Sequence, residues 1–190
     1  SFTMPSMRLS VTGSFANQGT FADNGAELVM PGNYNEALRY IAGWDSDGSA
    51  TSTLGPSILT YAATGTTLYV GKETDGTACS QIISAADGCE LMVFDISSTT
   101  NPVYVAGRDS SGSNNGTLGP AIYSLVVNGN KLYVGKNTDG TACQQTAGNA
   151  DGCELMVWDI SSTTNPIYQT GRDSSGSAGG TLGPAIRDML

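Results

Sequence analysis

Residues 89–107 read CELMVFDISSTTNPVYVAG, and residues 153–171 repeat this stretch almost unchanged as CELMVWDISSTTNPIYQTG. The apolar run Leu155–Ile160 is short, rich in β-branched and aromatic residues, and followed by turn-forming residues, so it predicts a β-strand. Alternation along this strand places Leu and Val on one face and Met and Trp on the other. A strand that is apolar on both faces must be covered on both sides. The stretch therefore predicts a sheet packed between two neighbouring layers.

The stretch is part of a longer internal repeat. The tetrapeptide Thr-Leu-Gly-Pro occurs at 53–56, 117–120 and 181–184, so the spacing is 117 − 53 = 64 and 181 − 117 = 64. Residues 53–116 align with 117–180 without a gap, and 43 of the 64 positions are identical. Self-similarity at a fixed period over whole units is the signature of a repeat protein. The two units therefore arose by duplication.

Weaker matches extend the repeat upstream and divide the chain. Leu28–Met30 aligns with Met92–Phe94, and Tyr40–Ala42 aligns with Tyr104–Ala106. The predicted organisation is an N-terminal extension (1–24), a partial diverged repeat (25–52), two repeat units (53–116 and 117–180) and the start of a further unit (181–190).

Each complete unit predicts four strands and no helix. In the second unit the predicted strands are Ala121–Val127, Lys131–Lys136, Glu154–Ile160 and Pro166–Thr170, with Asn128-Gly129 as a two-residue hairpin turn. Repetition of such a unit favours an all-β, propeller-like array of four-stranded antiparallel blades over a single sandwich or a stacked β-array. Since propellers typically have at least four blades, we expect an incomplete propeller, cut from a longer array or requiring neighbours to cover its ends.

Residues 89–107, together with VNGNKLYV at 127–134, resemble the LVIVD-type β-propeller repeat of bacterial surface and pilus-associated proteins. In that repeat an apolar strand ends in Asp-Ile/Val-Ser and continues through Asn-Pro into the next strand. A Gly-Asn hairpin into an aromatic-Val strand follows. The resemblance covers residues 25–186, with extra length in the Cys-bearing and Ser/Gly-rich loops. It implies an extracellular or cell-envelope propeller and brings no catalytic set to this chain.

Charge and composition exclude several classes of function. The chain carries 8 Lys and Arg against 17 Asp and Glu, a net charge of −9, and it has no histidine. A chain this acidic lacks the basic stripe that nucleic-acid binding requires. Without histidine, Ser-His-Asp and Cys-His catalytic sets and His-bearing zinc sites are excluded. No apolar run approaches the ~20 residues of a membrane helix, so we expect no membrane insertion.

The four cysteines form two pairs with equal spacing, Cys79 with Cys89 and Cys143 with Cys153. Each pair flanks the long loop between the second and third strands of its unit, and a loop that returns on itself brings its ends within bonding distance. The spacing predicts two disulfides, each stabilising the fold by about 3 kcal/mol, and hence an oxidising compartment. The alternative is a single metal bound by four thiolates from two converging loops.

Asp45 and Asp47 are the candidate metal ligands. They lie in the sequence Asp-Ser-Asp-Gly-Ser, which places oxygen ligands on alternate residues before a glycine, as calcium loops do. The corresponding loops at 109–112 and 173–176 lack the second carboxylate, and none of the three has the glutamate that completes an EF-hand. Turn formation by Asp is the favoured interpretation, with calcium as the alternative. The Asp-Gly-Thr loops containing Glu73, Asp75 and Asp139 are weaker candidates still.

Charged residues near the strand ends recur with the repeat. Arg108 and Arg172 predict Arg–Asp pairs on solvated loops, and binding of a carboxylate or glycan is the alternative. Asp95 and Asp159 end apolar strands. Their equivalence in the repeat favours turn capping over a general acid–base pair, because catalysis seldom requires one copy per unit.

These observations together predict a secreted or cell-surface, non-enzymatic β-propeller module with a structural or adhesive role. Its expected partners are proteins or glycans at the cell surface, or copies of itself, and we expect no resident cofactor. One alternative is a pilus-like filament subunit that uses residues 1–24 for strand donation. The other is a calcium-assisted lectin or hydrolase propeller.

Overall fold

Eight β-strands make up the regular structure of the chain, for which we use a computed structural model. It describes residues 56–73, 77–80, 82, 88–98, 100–113, 119–137, 141–162, 165–179 and 184–189. All of these residues belong to one compact unit, Ala42–Leu190. They contain no helix and are all-β, as the sequence predicts.

The strands form two four-stranded antiparallel sheets, neither of which closes on itself. The first sheet has the order β1-β2-β3-β4, with β1 Ile58–Thr64, β2 Thr67–Lys72, β3 Leu91–Asp95 and β4 Val103–Arg108. The second has the order β5-β6-β7-β8, with β5 Ile122–Asn128, β6 Lys131–Lys136, β7 Leu155–Asp159 and β8 Ile167–Arg172. The four strands predicted in residues 117–180 are present, with β6 as predicted and the other boundaries shifted by one or two residues.

The hairpin between β5 and β6 turns one residue later than predicted. Asn128 pairs with Lys131, so the two loop residues are Gly129 and Asn130 rather than Asn128 and Gly129. Gly129 has a φ of 59°, which glycine adopts without steric cost. The counterpart in the first sheet is Gly65, with a φ of 55°. The positive φ therefore falls on the glycine, and Asn128 remains in the ladder.

Each sheet has two apolar faces, which we call face A and face B. Strand register places alternate side chains on opposite faces. Face A carries Leu68, Val70, Met92 and Phe94 in the first sheet and Leu132, Val134, Met156 and Trp158 in the second. Face B carries Tyr69, Leu91 and Val93 in the first sheet and Tyr133, Leu155 and Val157 in the second.

Face B of the first sheet and face A of the second share one hydrophobic core. Face A of the first sheet belongs to a separate buried cluster. All four residues from Leu91 to Phe94 are at most 7% exposed, so both faces of β3 are buried. The first sheet therefore shows the two-sided burial that its strand composition predicts.

An aromatic pair stands at the same place in each sheet. Trp158 and Tyr168 meet edge to face, with ring centroids 5.8 Å apart. Phe94 and Tyr104 repeat the arrangement at 5.9 Å. Edge-to-face geometry is the favoured packing of such rings.

Candidate functional site

Five polar residues are buried where the first sheet meets the loop that leads into the second. They are at most 3% exposed, and we call them the seam: Glu90, Arg108, Asp109, Ser110 and Ser111. Pairing of Leu91 with Arg108 at the ends of β3 and β4 sets Glu90 beside the loop after β4. Buried charges are rare in folded proteins unless they are paired or hydrogen-bonded. Among the described residues, the seam is therefore the strongest candidate for a structural or functional role.

The loop after β4 is built by its own hydrogen bonds. Asp109 Oδ1 accepts a hydrogen bond from the Ser111 amide at 2.6 Å, and the Gly112 amide donates to the Asp109 carbonyl at 3.0 Å. Gly112 has a φ of 94°, a backbone conformation that side chains other than glycine rarely adopt. Asp109 thus forms the turn that the sequence favoured over a calcium ligand. Asp173 repeats it, accepting from Ser175 at 2.6 Å.

The same loop is tied to the second sheet. The Ser111 carbonyl accepts hydrogen bonds from the Gly148 and Ala150 amides, each at 3.0 Å, in the disulfide loop of the second sheet. At Gly112 a Cβ atom would lie 2.9 Å from Cγ of the Tyr168 ring. The loop backbone therefore rests directly on Tyr168, with no room for a side chain. These contacts join residues more than 35 positions apart in the chain.

Arg108 corrects one prediction. The sequence predicted an Arg–Asp pair on a solvated loop, but Arg108 is 3% exposed and reaches into the second sheet. Its Nε donates to the Pro166 carbonyl at 3.0 Å, and one terminal nitrogen donates to Asn165 Oδ1 at 2.6 Å. The turn between β7 and β8 supplies both acceptors. Arg108 is buried rather than solvated because the turn offers its guanidinium a fixed carbonyl oxygen and a side-chain amide oxygen.

Burial changes the proton affinity of the seam carboxyls. Desolvation, reinforced by the neighbouring charge of Asp109, raises the pKa of Glu90 to about 7. Glu90 Oε2 still accepts a hydrogen bond from the Ser110 amide at 2.8 Å, and the charge of Lys72 opposes the increase. Desolvation also raises the pKa of Asp109, against hydrogen bonds from Ser111 and the charge of Lys136. Glu90 therefore takes up its proton within the range of ordinary solution pH.

The seam carboxyls are closed to solvent. Glu90 and Asp109 are both 0% exposed, and a Cβ atom at Gly119 would lie 3.1 Å from Glu90 Oε2. Chemistry on a substrate needs the reacting group within hydrogen-bond reach of that substrate. Glu90 Oε2 and Asp109 Oδ1 instead accept hydrogen bonds from the Ser110 and Ser111 amides. They fix the loop after β4, whose Ser111 carbonyl is bonded to the second sheet.

The predicted disulfides are present. Cys79 is bonded to Cys89 and Cys143 to Cys153, and the chain has no free cysteine. The alternative of four thiolates on one metal is therefore wrong. All four cysteines are at most 3% exposed. Disulfides of this kind fit an oxidising, extracellular environment.

The calcium candidates Asp45 and Asp47 lie outside the described residues, as do Asp75 and Asp139. Glu73 is described and exposed. Within the described ranges no group of three or more Asp, Glu, Cys or His side chains is placed to hold a metal ion.

Asp95 and Asp159 cap turns, as the repeat predicted. Asp95 Oδ1 accepts from the Ser97 amide and Asp159 Oδ1 from the Ser161 amide, each at 2.8 Å. The bond to Ser97 lowers the pKa of Asp95. At Asp159 a 2.8 Å ion pair with Lys131, together with the bond from Ser161, lowers the pKa of the carboxyl. These carboxylates serve their own turns.

Sequence reasoning did not identify Glu90 as a site residue. Its local signal is a charged residue directly before a fully apolar strand, which reads equally well as an exposed strand end. The informative signal was the recurrence of Gly-Arg-Asp-Ser-Ser at 107–111 and 171–175. That recurrence marks a feature that the two repeat units share, without showing which side chains are buried.

No protein-family model, curated protein or solved structure matches this chain. Within the described part of the chain, no helix is long and apolar enough to cross a membrane. The resemblance to the LVIVD-type repeat stays a prediction.

Proposed function

We propose that this protein is a secreted or cell-surface β-propeller module, without enzymatic activity, that serves a structural or adhesive role. The observation that carries the proposal is the seam. Its charged side chains are buried where the first sheet meets the loop that leads into the second, and they are bonded to backbone and turn groups of the fold. Polar groups used in this way set the arrangement of one sheet on the next, and the same residue types recur at the second sheet.

The disulfides support the assignment to an oxidising compartment. Each of the two bonds closes a loop with a sequence separation of 10 residues. Such bonds persist in secreted and surface proteins and are rare in reducing compartments. Each loop leads into the central strand β3 or β7, so the bonds stabilise the part of the sheet that carries the core.

Exposed side chains on β1, an edge strand of the first sheet, support a role in binding. Tyr61 is 72% exposed and Ile58 is 56% exposed. Exposed aromatic and aliphatic side chains are suited to contact with another protein or with a glycan ring.

The proposal is tested by immobilising the full, oxidised chain and measuring binding to a glycan array and to a panel of extracellular proteins, including the chain itself. We expect saturable binding that is lost after reduction of the disulfides, and that is weakened by Tyr61→Ser but not by Thr170→Ser. Hydrolysis of glycoside or peptide substrates by the purified chain would contradict the proposal. Binding abolished by EDTA would favour the calcium-assisted alternative.

A further inference from the structure

Face B of the second sheet is open where face B of the first is closed. Tyr133, Leu155 and Val157 are partly exposed. Their counterparts in the first sheet are 0% exposed beneath face A of the second sheet: Tyr69, Leu91 and Val93. Among the described residues, no third sheet lies against face B of the second.

Residues 184–189 begin to cover this open face in the way that β5 begins to cover the first sheet. A Cβ atom at Gly71 would lie 2.5 Å from Ile122 Cγ2, and a Cβ atom at Gly135 would lie 2.6 Å from Ile186 Cγ2. The Ile186 amide donates to the Lys136 carbonyl at 3.2 Å. Arg187 stacks over the Tyr123 ring at 4.9 Å. Ile186 therefore stands on the second sheet where Ile122 stands on the first.

Arg172 shows the same difference between the sheets. It is exposed, whereas Arg108, at the same place in the first sheet, is 3% exposed. Both guanidinium groups donate to the carbonyl of the preceding glycine, at 2.5 Å from Arg108 and 2.7 Å from Arg172. Arg108 then continues to the turn of the next sheet. Arg172 instead donates to Thr170 Oγ1 at 2.8 Å and to Gln145 Oε1 at 3.2 Å in its own sheet.

We propose that face B of the second sheet is a docking surface for a third four-stranded sheet of the same pattern, in which residues 184–189 take the place of the first strand. This inference rests on the proposed structural role and names the partner of one surface. The docking sheet presents a face A of Leu, Val, Met and an aromatic residue to Tyr133, Leu155 and Val157. Its Asn-Pro turn accepts hydrogen bonds from Arg172, as Asn165 and Pro166 do from Arg108.

The position of Ile186 decides between this occupant and a second copy of the chain. In the existing interface the first strand of the covering sheet supplies the isoleucine that packs on the glycine of β2. On the second sheet Ile186 already fills that place over Gly135. A second copy docking through its own β1 would have to displace residues 184–189. The covering sheet is therefore one in which residues 184–189 occupy the position of the first strand.

The test extends the full chain after Leu190 by the sequence of residues 63–116, which continues the repeat in register and supplies the remaining strands. Hydroxyl-radical footprinting then compares Tyr133 and Leu155 in the original and extended chains. Trp158, already 1% exposed on face A, is the internal reference. A control extension carries Asp at the positions copied from Met92 and Phe94, which destroys the docking face and keeps the length.

We expect labelling of Tyr133 and Leu155 to slow several-fold in the extended chain and to keep its original rate in the control. Unchanged labelling in the extended chain would overturn the inference. So would labelling of the original chain that slows as its concentration rises, since a second copy would then be the occupant. The binding assays above are made on the original chain, so failure of the docking proposal is distinguishable from failure of the proposed function.

Discussion

The Arg108 guanidinium donates a hydrogen bond to Asn165 Oδ1 at 2.6 Å, although the two residues lie 57 positions apart in the chain. Arg108 ends β4 of the first sheet, and Asn165 stands in the turn before β8 of the second. With the bond to the Pro166 carbonyl, this contact locks the edge of one sheet to a turn of the next. Both partners are present in each repeat, so the bond requires only that two units stand side by side.

Replacing Arg108 tests how much these two hydrogen bonds contribute to the free energy of unfolding. Arg108→Ala leaves the Asn165 amide and the Pro166 carbonyl without their donor, and we expect the free energy of unfolding to fall by about 1–3 kcal/mol. Arg108→Lys should recover little of this loss, because an ammonium group cannot reproduce the planar, forked donor geometry of guanidinium. Urea denaturation measures both variants.

Arg172→Ala is the matched control for Arg108→Ala. Arg172 is exposed and bonds only within its own sheet and loop among the described residues. Surface substitutions of this kind usually change stability by about 0.5 kcal/mol or less. Equal losses in Arg108→Ala and Arg172→Ala would contradict the role assigned to the bond between the sheets.

The raised pKa of Glu90 makes the free energy of unfolding depend on pH. Its pKa is about 7 in the folded chain against 4.5 for an ordinary glutamate. The folded state therefore binds the Glu90 proton more tightly than the unfolded state does. The resulting contribution to the free energy of unfolding is fully present below pH 4.5. As pH rises from 4.5 to 7 the contribution is lost, by about 3 kcal/mol at most.

Glu90→Gln removes this titration. The difference in unfolding free energy between the variant and the parent should grow in favour of the variant as pH rises from 4.5 to 7, and then level off. Denaturant unfolding at a series of pH values measures it. Gln145→Ala, which removes a side-chain hydrogen bond to the Gly171 amide of the second sheet and no titratable group, leaves Glu90 in place and should keep the parent's pH dependence. If the unfolding free energy of Glu90→Gln changed with pH as that of the parent does, the raised pKa of Glu90 would be refuted.

The sequence predicted the strands and the disulfides well, for local reasons. Alternating apolar residues and a Gly-containing hairpin are properties of neighbouring residues, and a cysteine pair that flanks one loop needs only that loop to close. Arg108 depends instead on the second sheet, where Asn165 and Pro166 accept its hydrogen bonds, and Glu90 depends on the loop after β4 that closes over it. The burial of both residues is decided by tertiary packing, and the sequence around either residue carries no signal of it.

Each disulfide should contribute to stability on its own. Replacing Cys143 and Cys153 together by Ala releases a loop with a sequence separation of 10 residues. We expect a loss of about 3 kcal/mol in unfolding free energy, chiefly because the unfolded chain gains conformational freedom. The Cys79 and Cys89 double variant should lose a similar amount. Stability unaffected by either pair, measured by thermal unfolding, would show that these bonds do not constrain the fold.

Trp158 fills the core between the sheets and is 1% exposed. Trp158→Ala should lower the free energy of unfolding by about 3–5 kcal/mol, because it leaves a large cavity. Trp158→Phe introduces the residue that the first sheet uses at the same place, against an equivalent tyrosine, and should lose much less. A Phe variant as unstable as the Ala variant would contradict the equivalence of the two aromatic pairs.

Gly71 permits close approach of the two sheets. A Cβ atom there would lie 2.5 Å from Ile122 Cγ2 and 2.6 Å from Thr60 Cγ2. Gly71→Ala should therefore destabilise the chain by about 1–3 kcal/mol through overpacking. Ile122→Ala in the same chain makes room for the added methyl group, so the double variant should lose less than the sum of the single losses. Strict additivity in calorimetric unfolding would argue against this contact.

The central claim is that the seam joins the two sheets into one cooperative unit. Hydrogen exchange followed by mass spectrometry across a urea series measures this directly on β2–β3 and β6–β7. The two sheets should lose protection at the same urea concentration, and Arg108→Ala should move both transitions together. Loss of protection in one sheet while the other stays protected would contradict the claim.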